Sequence, residues 1–182
     1  MARSPLSELE GCVLALIWSG GPLTPYAIRR EFLDSKSPQW SGSAGSIYPL
    51  VERLERRTLV RSTAHSTGRR AGKLYSLTPA GSRSLAMWLE APVDDWVAGV
   101  PPDPLRTRAH FLGALSARKR EAFLASARDA VERQLKTVEE DYRRKRKGGY
   151  EYWATRGALL SMRARRTWLI ELADAVSAGE VE

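Results

Sequence analysis

The sequence predicts a mainly α-helical protein with a small β-hairpin: a winged helix-turn-helix domain followed by a C-terminal helical domain. Three observations predict it. Between Ser41 and Leu89 a helix-patterned segment (SGSAGSIYPLVERLERR), a basic alternating stretch (LVRSTAHSTGRRAGKLYSLT) and a strong helix start (TPAG) follow one another. All ten prolines lie before residue 105. Beyond them, two long runs carry apolar residues at helical spacing, with Gly148-Gly149 between them.

The first helix begins at Ser7, with Glu10 three residues on, the spacing of a capping box. Leu9, Cys12, Val13, Leu16 and Ile17 recur at helical spacing and predict its buried face, and Gly20-Gly21 ends it. Thr24 followed by Pro25 is a favoured start for a second helix, whose apolar side is Ile28, Phe32 and Leu33. A polar loop leads to Gly42, with Trp40 expected to plug the core. The third helix buries Ile47, Leu50, Val51 and Leu54. Ser43, Ser46, Arg53 and Arg56 then point away from the core. Pro49 removes one intrahelical hydrogen bond and is tolerated only near the first turns. Strands are expected at residues 59–64 and 73–77, with Gly68 and Gly72 in the connection. Thr78-Pro79 starts a fourth helix with Leu85, Trp88 and Leu89 facing inward.

Residues 91–104 (APVDDWVAGVPPDP) hold four prolines and read as a linker between a domain over 1–90 and one over 105–182. Trp96 and Val97 predict that this linker packs. The second domain starts with a short helix from Asp103 or Pro104. Ser116 caps a long one running from Ala117 to about Lys145. Its stripe of Leu124, Ala127, Val131, Leu135, Val138 and Tyr142 has nearly coiled-coil spacing. The last helix, Tyr150 to Ser177, is apolar on more than one side, which predicts a second neighbour in another protomer. Leu159, Met162, Leu169 and Val176 are the expected dimerisation residues.

Composition narrows the function classes. Of the net charge of +8, residues 1–90 carry 12 Lys/Arg against 7 Asp/Glu, and residues 91–182 carry 17 against 14. The more basic N-terminal half suits a polyanionic partner. No apolar run is long enough to span a membrane, and the start MARSPLSELE lacks the apolar core of a signal peptide. A single cysteine, Cys12, rules out an intramolecular disulfide, and it sits on an apolar helix face as a structural thiol. A reducing cytoplasm is the expected compartment. His65 and His110 have no ligand spacing around them, so neither a metal nor a cofactor is expected. No nucleophile–base pair or phosphate loop marks an enzyme.

What remains is recognition of double-stranded DNA, which needs neutralised phosphates and contacts at base edges. The third helix offers Ser43, Ser46, Tyr48 and Arg53, and the hairpin offers Arg69, Arg70 and Lys73. Taken singly these are a solvated helix face and an ordinary charged turn. Together, in this order, they are the plan of a groove-entering helix beside a basic ribbon. The alternative, a winged helix that binds protein rather than DNA, would call for an acidic or apolar outer face. The run Arg143–Lys147 (RRKRK) is most simply a solvated helix end.

The blocks LSELEGCVLALIW, SGSAGSIYPLVERLERRTLV and GRRAGKLYSLTPAGSRSLAMWL resemble the winged-helix half of PadR-family transcriptional regulators. The longer PadR subfamily is similar in the helices that follow DPLRTRAHFLGALS. The resemblance implies a homodimeric repressor on an operator, with DNA contact by the third helix and wing and dimerisation through the C-terminal helices. By position Ser43, Ser46 and Tyr48 match the family's DNA-contacting region. Pro25-Tyr26-Ala27 stands where the family has a Gly-Tyr-Glu pattern, so Tyr26 keeps its role while its neighbours change. Thr58 replaces a glycine after the recognition helix, which predicts a strained turn. A small-molecule effector is expected in the helical domain, with Trp96, Arg106, His110 and Trp153 as candidate lining. Core packing is the competing reading for the tryptophans, Trp168 included.

Overall fold

The computed structural model describes residues 6–35, 40–41, 43–67 and 70–181, with the backbone alone at Thr67, Arg70 and Ala71. Gly42, Gly68 and Arg69 lie outside the described residues. The chain is mainly helical with one antiparallel hairpin, in two compact units, residues 1–99 and 100–182.

In the first unit α1 spans Glu8–Gly20. The expected capping box is present: Glu10 N–H donates to Ser7 Oγ at 3.3 Å, and Ser7 N–H donates to Glu10 Oε2 at 2.9 Å. Gly21, at φ 75°, ends the helix. Helix α2 (Pro25–Asp34) starts at Thr24, whose hydroxyl oxygen accepts from Ala27 N–H at 3.1 Å. A single 3-10 turn, Ser43–Ser46, leads into α3 (Ile47–Arg56). Pro49 is the third residue of α3, where its missing N–H has no intrahelical partner to lose.

Strands β1 (Val60–Thr67) and β2 (Arg70–Leu77) pair from Val60 opposite Leu77 to Thr67 opposite Arg70. They are longer than the sequence predicts, because backbone pairing carries the hairpin past its apolar residues. Leu23 exchanges backbone hydrogen bonds with Tyr75 (2.8 and 3.0 Å), which ties the segment before α2 to the hairpin. Helix α4 (Pro79–Leu89) is capped by Thr78, whose oxygen accepts from Gly81 N–H at 3.0 Å. Leu85 is buried and Trp88 partly so, but Leu89 is exposed at the helix end, against expectation. Trp88 lies on Gly11: a β-carbon there would be 2.4 Å from the indole. The core unites Val13, Leu14 and Ile17 of α1, Ile28 and Phe32 of α2, the four apolar residues of α3, Val60 and Tyr75. Within the expected linker, α5 (Asp95–Ala98) is a single turn capped by Asp94. Trp96 is 74% exposed and Val97 is exposed too, so the predicted packing of this stretch is corrected.

In the second unit α6 (Pro104–His110) starts at Asp103, whose Oδ1 accepts from the N–H groups of Leu105 and Arg106. Its Oδ2 accepts from Arg165 Nη2 at 2.7 Å. Helices α7 (Ala117–Arg144) and α8 (Tyr150–Ala178) form a hairpin whose link includes Gly148 at φ 89°. The α7 stripe is buried from Leu124 to Val138 as the spacing predicts, in two clusters, with Tyr142 only partly covered. Leu112, Leu124, Ala127 and Val131 meet Leu169; Leu135 and Val138 meet Leu159.

That arrangement corrects two of the four expected dimerisation residues, Leu159 and Leu169. Leu159 and Leu169 are each 1% exposed within one chain, consumed by α7 rather than free for a partner. Met162 and Val176 are partly buried against the same clusters. Periodicity identifies a buried stripe but does not say which helix buries it. The large apolar side chains that α8 leaves exposed are Tyr150, Trp153, Leu160 and Ile170.

Candidate nucleic-acid interface

Helix α3 is sharply two-sided. Ile47, Leu50, Val51 and Leu54 face the core. At 100° per residue, Pro49, Glu52 and Arg56 fall on the opposite ridge, and all three are exposed. Tyr48, 47% exposed, stands at one border of that ridge, and Arg53 at the other. Ser46 is exposed at the helix start and makes no capping hydrogen bond, while Ser43 is half-buried in the preceding turn. Tyr26 is exposed on α2.

Each border of α3 is gripped by a carboxylate. On the hairpin side, Glu55 of α3 accepts from the Ser62 hydroxyl, from Lys73 Nζ at 3.5 Å and from the Tyr75 hydroxyl at 3.5 Å. The Ser62 hydrogen bond, then Lys73, hold its carboxyl below the usual value despite some desolvation. On the α1 side, Glu10 Oε1 accepts from Arg53 Nε at 3.1 Å and Arg57 Nη1 at 3.0 Å. Burial pushes the Glu10 carboxyl up, but the Ser7 hydrogen bond and the two arginines outweigh it and hold the group low. Lys73 and Arg53, both expected at the interface, each already have a counter-ion. Both keep about half their side-chain surface in water, at 57% and 48%.

Sequence reasoning left Arg56 out of the site, although the same periodicity that buries Leu50 and Leu54 puts it on the outer ridge. It is exposed and has no partner among the described residues. Arg69 lies outside the described residues, and Arg70 is placed only as the first residue of β2, opposite Thr67.

The four residues expected around an effector divide between the two units. Trp96 belongs to the first unit. Arg106 donates to the Pro101 carbonyl at 3.2 Å, His110 lies edge-on to Phe111, and Trp153, 63% exposed, lies edge-on to Tyr152. A cavity of about 240 Å³ opens between α7 and α8, lined among others by Arg128, Glu132, Arg166 and Leu169, and by none of those four. Cys12 is buried, and burial, with Glu8 nearby, pushes its thiol up to about 12. Among the described residues no cluster of His, Cys, Asp or Glu could hold a metal ion. No described helix is long and apolar enough to cross a membrane.

A helix-turn-helix with a two-sided outer helix, a hairpin beside it and a separate helical unit define a winged-helix protein of the DNA-binding regulator class. Residues 13–87 match the model of the transcriptional regulator PadR-like family. Among solved structures, Bacillus subtilis PadR in complex with operator DNA is similar with a TM-score of 0.78 at 20% identity, over 93% of this chain and 99% of that one. The same protein in complex with p-coumaric acid is similar at TM-score 0.70 and 20% identity, over 97% and 99%. The Vibrio cholerae virulence activator AphA gives 0.68 at 21% identity, over 94% and 99%. At these identities the likeness is one of fold, and it extends over both units. No curated protein matches the sequence.

Proposed function

We propose that this chain is a homodimeric transcriptional repressor that binds a palindromic operator through α3 and the β1–β2 wing, in the cytoplasm, and releases it when a small-molecule effector binds. The observation that carries the DNA reading is the outer ridge of α3. It is free of core contacts, bordered by Tyr48 and Arg53, and held beside a hairpin whose sequence carries Arg69, Arg70 and Lys73. The basic N-terminal half supplies the attraction for a polyanion. The operator complex of B. subtilis PadR supports the same use of the fold, and its p-coumaric acid complex supports control by a small molecule. Homodimerisation is supported by the large apolar side chains that α8 leaves in water.

The test is selection of random duplex DNA by the purified chain, followed by sequencing. An inverted repeat with half-site centres about 34–36 Å apart is the expected result. Recovery of no preferred sequence would overturn the operator reading. Sedimentation of the parent should give a dimer at micromolar concentration. Leu160→Asp, which puts a charge on the exposed stripe of α8 without touching the core of the unit, should give a monomer.

A further inference from the structure

Glu10 is the one buried charged residue among the described residues, and its side chain is only 8% exposed. A buried carboxylate survives when enough donors surround it. Here three converge: the Ser7 N–H on Oε2, and Arg53 Nε and Arg57 Nη1 on Oε1. The capping box accounts for Oε2 alone. The other oxygen reaches α3, 43 positions away in the sequence, and takes hold of Arg53 at the border of the outer ridge.

The way Arg53 is held matters. Its inner nitrogen, Nε, is occupied by Glu10, whereas its two terminal nitrogens have no partner among the described residues. A guanidinium fixed at Nε still presents the end-on pair of N–H groups, a geometry that accepts a phosphate. An unheld arginine is a long mobile chain that must be ordered when DNA arrives. We infer that Glu10 is a positioning residue for DNA binding: through Oε1 it holds Arg53 with its terminal N–H groups ready for a backbone phosphate. The inference rests on the DNA reading above and names a part of its machinery. Arg57, which shares Oε1, serves as the counterweight that keeps the carboxylate ionised.

The experiment is operator affinity as a function of salt for the full chain and four variants. Arg53→Ala should make the plot of log K against log salt shallower by about 1 per protomer, the signature of one phosphate no longer neutralised. Glu10→Gln should weaken the operator complex by about tenfold, since two side chains per dimer must then be ordered on binding, and should leave the slope alone. Arg53→Lys keeps the charge and loses the Nε bond. It should behave like Glu10→Gln and serves as the reporter if Glu10→Gln unfolds. In the double variant Glu10→Gln/Arg53→Ala, the glutamate change should cost no further affinity. A slope unchanged by Arg53→Ala overturns the inference, as does a Glu10→Gln loss that persists in full when Arg53 is absent, because a purely architectural role would act independently of Arg53. Failure of the parent chain to bind any duplex overturns the DNA reading itself, and that outcome is visible before any variant is made.

Discussion

A β-carbon on Gly81 would stand 1.9 Å from the carbonyl oxygen of Leu59. The first turn of α4 therefore rests directly on the backbone that enters β1. The same junction is tied by Thr78, whose N–H donates to the Leu59 carbonyl at 3.1 Å and whose hydroxyl donates to the Thr58 carbonyl at 2.7 Å. Gly81→Ala forces backbone apart and should destabilise the chain by roughly 3 kcal/mol. Thermal unfolding checks it; a midpoint unchanged from the parent would show that α4 can shift away without loss.

Thr58 has φ 56°, the one left-handed residue other than glycine among the described residues. It ends α3 in a Schellman pattern: Thr58 N–H donates to the Glu55 carbonyl at 2.8 Å and Leu59 N–H to the Leu54 carbonyl at 3.0 Å. The turn uses backbone groups that glycine also supplies. Thr58→Gly should relieve the Cβ strain and stabilise the chain by about 1 kcal/mol. A lower denaturant midpoint in that variant would show that the Thr58 side chain contributes more than its strain costs.

Glu10 and Glu55 both have carboxyls held below the ordinary value of 4.5. A group lowered on folding stabilises the native state above its unfolded value and stops doing so as the pH falls through its folded value. Stability should therefore be flat above about pH 4.5 as far as these two are concerned, and should fall on acidification below it. Urea midpoints measured on both sides of that value should show the fall. In Glu10→Gln the acid fall should be smaller, because the ionisable group is gone.

Burial pushes the Cys12 thiol up to about 12, so almost no thiolate exists at neutral pH. The native chain should react with a disulfide reagent only as fast as it unfolds locally, and fully once denatured. Rapid, stoichiometric labelling of the folded chain would contradict this burial.

Tyr48 borders the outer ridge with its ring half in water. Tyr48→Phe deletes only the hydroxyl. Operator binding should weaken by about 1 kcal/mol for each hydrogen bond that the hydroxyl makes to DNA, with the unfolding midpoint unchanged. Equal affinity in parent and variant would remove the hydroxyl from the interface.

Local chemistry in the sequence was enough to place most elements. Thr24-Pro25, Thr78-Pro79 and the Ser7/Glu10 box each announce a helix start, because a cap is made within four residues of its own chain. The strained Thr58 turn was legible only through the family resemblance, as a glycine position filled by another residue. What the sequence hid are partners at long range. Nothing near Arg53 or Lys73 says that Glu10 or Glu55 will claim them. The apolar stripe of α8 shows that Leu159 and Leu169 are buried, yet the identity of the burying helix is a tertiary fact. Trp96, apolar by type and exposed in the structure, shows the converse limit.

The counter-ions at the two borders of α3 also bear on how the formal charge of +8 is distributed. That sum already counts Glu10 and Glu55, so their pairing leaves the long-range field unchanged and alters only where the positive charge is held: Arg53 and Arg57 share one carboxylate, and Lys73 stands against the other. The two carboxylates thus fix the positions of charges at the borders of α3 rather than their number, and a rigidly placed cation loses less freedom on meeting a partner than one at the end of an unheld side chain.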